Sequence, residues 1–143
     1  MKEKINYQLP STIPVKPDTY KRWLDRKAKS IKRRNAKKDN INHGGLKFYK
    51  DAIHKAVCSS NGKDFYTGEQ LNWPLLSRFN NTEAKKGGSV YLRRFSLLPT
   101  VDHYDNRKKL NFVICSWRVN DAKNYMSHNE FIELCRKVIA NQK

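Results

Sequence analysis

The sequence predicts an α+β fold in which N-terminal helices, an irregular middle and a two-stranded hairpin crossed by a helix form one small domain. Apolar residues recur at helical spacing in the first 60 residues. Two apolar segments, 96–101 and 112–117, are rich in β-branched and aromatic residues and flank a polar turn. A chain of 143 residues is long enough for one ordinary core, with or without a basic extension.

The first helix is predicted to begin after Pro17, with Asp18 as its N-cap, and to run through a strongly basic segment. Its apolar residues fall on one face, which we expect to be buried. These residues are Tyr20, Trp23, Leu24, Ala28 and Ile31. Residues 1–17 hold three prolines and few apolar anchors, so we expect an extended arm there.

A second helix is predicted over 46–59, because a core-facing stripe repeats there and Asn61 and Gly62 follow as a stop. The stripe comprises Leu46, Tyr49, Ile53, Ala56 and Val57. Residues 63–80 mix aromatic and turn residues, which indicates a packed but irregular stretch. Residues 81–89 are polar and contain two glycines, so a mobile surface loop is expected.

The last third begins with a strand that leads into Asp102 and His103, followed by a turn and the buried strand 112–117. A short helix is expected over 118–124. A final helix, 127–141, is predicted from a capping box of Ser127 and Glu130. Its apolar stripe is Phe131, Ile132, Leu134, Cys135, Val138 and Ile139. We expect the 46–59 and 127–141 helices to cover the hairpin, which is marginal alone.

The chain carries a formal charge of +17, and eleven basic residues against two acidic ones lie between Lys16 and Lys38. Such a concentration of cations predicts a polyanionic partner, first of all nucleic acid. No apolar run approaches the roughly 20 residues of a membrane span, and the N-terminus lacks a signal-peptide core, so a cytoplasmic protein is expected. The three cysteines are far apart, which predicts neither a zinc site nor a disulfide framework.

One constellation near the C-terminus has the residue types that phosphodiester hydrolysis requires. Asp102 and Asn120 offer a carboxylate and an amide oxygen, the ligands that Mg²⁺ prefers, with Mn²⁺ as an alternative. His103 has an ordinary pKa of roughly 6.5 and can act as a general base. Asn111 opens the second strand, where its amide can hold the backbone that carries His103.

These residues resemble the HNH or ββα-metal nucleases, in which an Asp-His pair ends the first strand, an Asn begins the second, and an Asn or His on the following helix binds metal. The similarity covers Leu98 to about Phe131 and includes the Asn-x-x-Lys of Asn120 and Lys123. It implies that His103 activates water while Asp102 holds one Mg²⁺ with Asn120 against the leaving 3′ oxygen, giving 5′-phosphate ends. It also implies that Lys123 contacts phosphate.

Two features depart from that pattern: the final ligand is Asn120, a variant that favours Mg²⁺, and the zinc-binding cysteine pairs are missing, so no structural zinc is expected. The segment CSSNGKDFYTGEQL is weakly similar to the Cys and Thr-Gly-Glu segment ahead of some family members' active sites. We expect packing around Phe65, Trp73 and Trp117 to replace the cysteine pairs.

The sequence therefore predicts a basic DNA-binding arm and helix over 1–43 and a nuclease domain over 44–143, with its ββα core at about 97–125. The expected partner is double-stranded DNA, and a homodimer is a candidate assembly. A catalytically silent DNA- or RNA-binding protein and a ribonuclease of the same fold are the alternatives. The expected DNA contacts, besides Lys123, are Lys21, Arg22, Arg26, Lys29, Arg33 and Arg34. Arg93 and Arg94 add further contacts or form an ordinary exposed strand face.

Overall fold

The computed structural model describes residues 7–38, 44–76, 78, 81–104 and 110–142. Along the chain it contains helices α1 (Pro17–Lys38) and α2 (Leu46–Ser60), a 3₁₀ turn (Trp73–Leu75) and helix α3 (Asn81–Arg94). Strands β1 (Pro99–His103) and β2 (Phe112–Ser116) follow, then helices α4 (Trp117–Lys123) and α5 (His128–Asn141). The predicted α+β class is confirmed.

Helix α1 packs against α2 through the stripe that the sequence predicts, and all five of its apolar residues are buried in the common core. The helix begins at Pro17, whose fixed φ suits the first helical position. The prediction of Asp18 as the N-cap is therefore wrong, and Asp18 lies in the first turn. Because α1 belongs to the main core, it is more than a basic extension, and the residues beside the predicted 43/44 boundary, 39–43, lie outside the described part.

The segment ahead of α1 is anchored to the core, which differs from the expected extended arm. From residue 7 to residue 16 it has no helix or strand, but Ile13 is buried and Tyr7, Leu9 and Val15 pack against the core. The Tyr7 hydroxyl donates to the Asp51 carboxylate at 2.9 Å. Four apolar side chains are sufficient to hold this short stretch, which the count of prolines did not reveal.

Helix α2 confirms the predicted stripe and stop signal. Tyr49, Ile53 and Val57 are buried, and Asn61 ends the helix in the left-handed conformation with φ 51°. Gly62 follows at φ +84°, where a Cβ would lie 3.3 Å from the Thr12 carbonyl oxygen. The sharp turn after α2 thus needs glycine both for its backbone angle and for the close approach of the N-terminal segment.

Helix α3 corrects the expected loop over 81–89. The segment is helical, with a kink at Gly88, where φ is 55°. The rings of Tyr91 and Phe95 lie 4.7 Å apart and are buried, so the C-terminal half of α3 is fixed by packing. Tertiary contacts therefore outweigh the low helix propensity of its glycines. As a consequence, Arg93 and Arg94 end a helix and do not lie on a strand.

The hairpin of β1 and β2 is antiparallel, with Val101 opposite Ile114, and α2 packs against β2 while α4 packs against both strands. Helix α5 starts at the predicted Ser127 N-cap, whose hydroxyl accepts from the Glu130 amide at 3.2 Å. However, none of the residues of α5, all of which are described, is buried. The expectation that α5 buries its stripe over the hairpin is wrong, because α2 and α4 already cover it.

Candidate active site

The hairpin presents Asp102 and His103 on opposite faces, because consecutive side chains of a strand alternate. Asp102 is paired in register with Val113 on one face, and His103 with Phe112 on the other. The face that carries Asp102 meets α4, whereas the Phe112 face belongs to the main core. The imidazole of His103 therefore points away from the carboxylate, as the dipeptide predicts. Residues 105–109 of the predicted turn lie outside the described part.

Asp102 is buried in a small polar cluster, with 8% of its surface exposed. Its Oδ2 accepts a hydrogen bond from the Tyr66 hydroxyl at 2.6 Å and one from the Lys123 ammonium at 2.7 Å. Lys123 is only 2% exposed and also donates to the backbone oxygen of His103 at 2.9 Å. One lysine thus neutralises Asp102 and fixes the end of β1.

This position of Lys123 differs from the exposed phosphate contact that the family resemblance implies. A buried ammonium is retained in a protein only when a counter-charge and further acceptors replace its water shell. Asp102 and the His103 carbonyl supply these. Lys123 is therefore placed to hold Asp102, and a contact with phosphate requires that the side chain leave this pair.

Tyr66 is a member of the cluster that sequence reasoning missed. Burial is the main factor that raises the pKa of its phenol, and the hydrogen bond to Asp102 raises it further, so the neutral donor form is favoured. Its backbone is fixed by Asp64, whose Oδ1 accepts from the Tyr66 amide at 2.7 Å. The weak Thr-Gly-Glu similarity lies next to this tyrosine and is the one sequence signal for it.

Asp64 also connects the Tyr66 turn to the start of α4. Its Oδ2 accepts from the backbone amide of Ser116 at 2.9 Å, and the Ser116 hydroxyl in turn caps α4 by accepting from the Val119 amide at 3.2 Å. Both polar side chains are buried. The orientation of α4 relative to β1, which decides where Asn120 and Lys123 lie, therefore depends on Asp64.

Asn120 lies on α4 one turn before Lys123, and residues three apart on a helix share a face. Because Lys123 reaches Asp102 from that face, the structure brings Asn120 to the same side of the hairpin. Asn120 is half-buried. Asn111 is exposed, and its backbone oxygen accepts from the Tyr104 amide at 3.0 Å, which closes the ladder just beyond His103. The orienting role of the Asn111 side chain stays a prediction.

The imidazole of His103 is half-buried, and its ring meets that of Phe112 edge-on at 5.0 Å. Its Nε2 atom is buried. Base catalysis by His103 therefore requires that this nitrogen become accessible to water when substrate binds, since a base must lie within hydrogen-bond reach of the proton it takes.

The donors at this site fit a weakly held divalent cation. Both donors to the Asp102 carboxylate bind Oδ2, so Oδ1 keeps its lone pairs for a cation, and the Asn120 amide offers a second hard oxygen. Within the described ranges no group of three or more His, Cys, Asp or Glu side chains is arranged to hold a metal. The nearby ammonium of Lys123 opposes a second positive charge, which predicts low affinity.

The basic face of α1 extends to the hairpin. Arg22, Arg26, Lys29 and Arg33 are exposed and recur at a spacing of four, three and four residues, so they lie on one side of the helix, away from the core. Lys27, between α1 and β1, donates to the Thr100 hydroxyl at 3.2 Å. Thr100 is two residues from Asp102, so the middle of the cationic helix lies beside the strand that carries the candidate site.

The cations near this face are electrostatically crowded. Burial lowers the pKa of Lys27, and repulsion from Arg34 and Arg26 lowers it further. Lys21 and Arg34 are exposed at the flanks of the stripe, and Lys29 pairs with Asp25 at 2.8 Å. Arg93 and Arg94 are exposed at the end of α3. Concentrated like charge of this kind destabilises the free protein and favours an anion beside it.

Comparisons of the chain with protein-family models, with curated proteins and with solved structures each found no match. In the part of the chain that is described, no helix has both the length and the apolar character needed to cross a membrane.

Proposed function

We propose that the protein is a divalent-metal-dependent endonuclease that hydrolyses phosphodiester bonds of double-stranded DNA. The observation that carries the proposal is the strand–strand–helix unit in which buried Asp102 at the end of β1 faces α4, the helix that bears Asn120. The cationic stripe on α1, beside β1, supports a nucleic acid as substrate.

In this mechanism the arginines and lysines of α1 bind phosphates on either side of the scissile bond and position it at the hairpin. Asp102 and Asn120 would hold one Mg²⁺, which neutralises charge on the scissile phosphate and on the leaving 3′ oxygen. His103 takes a proton from the attacking water. The new P–O bond forms as the P–O3′ bond breaks, which leaves a 5′-phosphate.

Lys123 and Tyr66 act as positioning residues, since each donates to the Oδ2 atom of Asp102. The lysine also binds the backbone oxygen of His103, so one side chain fixes the base and the carboxylate relative to each other. Lys123 lowers the affinity for metal, which predicts that cleavage needs a higher Mg²⁺ concentration in this protein than in the variant Lys123→Met, provided that variant folds.

A second candidate function is a catalytically silent DNA- or RNA-binding protein. The observation that favours it is the Lys123–Asp102 pair, in which an ammonium already neutralises the carboxylate and the metal is not needed for stability. The two functions share the cationic helix and differ only in whether the Asp102 cluster turns over substrate.

The deciding experiment follows supercoiled plasmid on a gel with Mg²⁺, with Mn²⁺ and with EDTA. Wild type is compared with His103→Ala and Asn120→Ala at concentrations that give equal DNA binding. Asn129→Ala, an exposed asparagine on α5, is the matched control. Metal-dependent nicking that is abolished in the first two variants and retained in the control supports the nuclease. Binding without cleavage of plasmid or of RNA supports the silent module, whereas cleavage of RNA alone supports a ribonuclease.

A second experiment tests the role of α1 separately. The double variant Arg26→Gln with Arg33→Gln is compared with Lys47→Gln with Lys55→Gln, which removes the same charge from exposed positions of α2. The affinity for DNA is measured against salt concentration. The slope of log K against log salt should fall by about 0.9 for each phosphate that the protein no longer neutralises, so by about 1.8 in the α1 variant. An equal decrease in both variants would mean that only net charge matters.

A further inference from the structure

Helix α5 exposes an apolar face that the rest of the described molecule does not cover. Leu134, Val138 and Ile139 are 46%, 52% and 72% exposed. Only the first turns of the helix are anchored, by the rings of His128, which stacks on Tyr104 at 4.6 Å, and of Phe131. The rest of the stripe that the sequence marks as core is therefore in contact with solvent.

We propose that α5 pairs antiparallel with the α5 of a second copy of this chain, in a two-fold symmetric dimer with Cys135 close to the axis. A two-fold interface must be self-complementary, because residue i of one copy meets residue j of the other and j meets i. The residues of α5 meet this condition, and they do so around one particular position.

The sequence of α5 is arranged symmetrically about Cys135. A two-fold axis there sets Phe131 opposite Ile139 of the second copy, so an apolar side chain meets an apolar one. The same axis sets Glu133 opposite Lys137, so an acid meets a base, and the symmetry repeats both pairs. Antiparallel packing also opposes the two helix dipoles favourably. Any parallel arrangement would instead bring Glu133 against Glu133 of the second copy.

Electrostatics identify α5 as the place where two such cationic chains can meet. The whole chain carries +17, and its two copies repel each other. Helix α5 holds two acidic residues, Glu130 and Glu133, and two basic residues, Arg136 and Lys137, so it is neutral. The cationic stripe lies on a different helix, α1, and remains available to DNA.

The size of the surface predicts a weak dimer. A helix of 14 residues is about 21 Å long, and one helix pair buries less than the roughly 1,200 Å² of a typical stable interface. We therefore expect a dissociation constant on the order of micromolar. Salt should strengthen the dimer, because the apolar contact is retained while the repulsion between the copies is screened; the Debye length falls from about 10 Å at 0.1 M to about 3 Å at 1 M.

The dimer has a consequence for cleavage, and this part rests on the proposed function. A single site of the kind described cuts one strand, so two copies held together by α5 can cut both strands of a duplex in one binding event. We expect wild type to linearise plasmid above the dimer dissociation constant and to nick it below.

The test measures sedimentation velocity from low to high micromolar concentration, with wild type, Ile139→Glu and the control Val90→Glu, an exposed valine on α3. A concentration-dependent dimer that Ile139→Glu weakens about tenfold or more, and that Val90→Glu leaves unchanged, supports the proposal. A monomer at every concentration and salt, which would leave the α5 face to some other occupant, overturns it. So does a dimer that Ile139→Glu does not weaken.

Cross-linking provides an independent measurement of the axis. A short bismaleimide, which joins two thiols without oxidation, is added to Cys58→Ser and to Cys135→Ser; Cys115 is buried. A covalent dimer that forms through Cys135 and not through Cys58 supports the axis, and the reverse result contradicts it. His103→Ala should dimerise as wild type does. A catalytically dead dimer would therefore refute the nuclease alone, whereas a monomer that still nicks DNA would refute the dimer alone.

Discussion

Helices α1 and α5 are both amphipathic in sequence, yet the fold treats them in opposite ways. The apolar stripe of α1 is buried against α2 and the ring of Trp73, which meets Trp23 edge-on at 6.4 Å. The stripe of α5 has no such counterpart among the described residues, and its outer positions are exposed. Periodicity thus shows that a helix has an apolar face, but the partner for that face is decided by the rest of the chain.

A second contrast concerns ion pairs. Lys123 and Asp102 form a buried pair at 2.7 Å, whereas Lys47 and Asp51 form an exposed one at 2.6 Å. The distances are nearly equal, but only the first pair is shielded from water. We therefore expect the two pairs to respond very differently to the same substitution.

The largest expected effect separates the two helices directly. Trp23→Ala in α1 should lower the free energy of unfolding by about 3–5 kcal/mol, because it leaves a cavity in the core. Leu134→Ala in α5 should change it by about 0.5 kcal/mol or less. Denaturant unfolding of the two variants at low protein concentration measures both values. A comparable loss in Leu134→Ala would show that α5 is packed within the monomer, which would break the contrast.

The next effect compares the ion pairs. Lys123→Met should cost about 3 kcal/mol of stability, because it leaves the Asp102 carboxylate buried without its counter-charge. Lys47→Met should cost about 0.5 kcal/mol or less. Adding Asp102→Asn to Lys123→Met should restore part of the loss, since the uncompensated charge is then removed. If the double variant is less stable than Lys123→Met by the full cost of Asp102→Asn alone, the two residues act independently.

Alkaline pH provides a smaller test of the same contrast between regions. Burial raises the pKa of Tyr20 in α1 above its ordinary value of 10.0, while Tyr125, next to α5, is 86% exposed. A pKa that is raised in the folded state means that the unfolded chain loses its proton first. The stability contributed is complete below about pH 10 and falls as the pH rises further.

The stability of wild type should therefore fall above pH 10 by up to about 1.4 kcal/mol per pH unit more than that of Tyr20→Phe. Tyr125→Phe serves as the control because its ring is exposed. Unfolding in denaturant at several values between neutral pH and pH 11 gives the slopes. Identical slopes in wild type and Tyr20→Phe would contradict the expected burial of the phenol.

The smallest expected effect lies at the start of α5. Ser127→Ala removes the hydroxyl that accepts from the Glu130 amide, and removal of an N-cap costs about 0.5–2 kcal/mol. Because α5 is loosely packed, we expect this cost to appear as faster amide exchange within α5, with little change in global unfolding. Hydrogen exchange measured residue by residue separates the two. Global destabilisation by the full amount would indicate that α5 unfolds together with the core.

Much of the fold could be predicted from local patterns. The stripes of α1 and α2, the Asn61–Gly62 stop, the hairpin with its following helix and the Ser127 cap all rest on residues close together in sequence. Helix α3 was missed because its glycines obscure the pattern, and Tyr91 and Phe95 become informative only once they pack on each other.

The candidate site was only partly predictable for the same reason. Asp102 and Asn120 can be found from their spacing on a hairpin and a helix, but the bond from Tyr66 to Asp102 joins residues 36 positions apart. The role of Lys123 was also hidden, because a lysine three residues after Asn120 has the same sequence whether it faces phosphate or a buried carboxylate. Its burial is a property of the packing of α4 on β1.

The sequence by itself determined the secondary structure around each strong pattern, the cationic character of α1 and the identity of the polar residues near the hairpin, because periodicity, capping and charge are local. Only the tertiary structure decided that α1 is buried on its apolar side while α5 is not, and that Asp102 is held by Tyr66 and Lys123. The physical reason is that burial and desolvation depend on what lies across a contact, and a residue's neighbours in space are fixed only when the whole chain has packed.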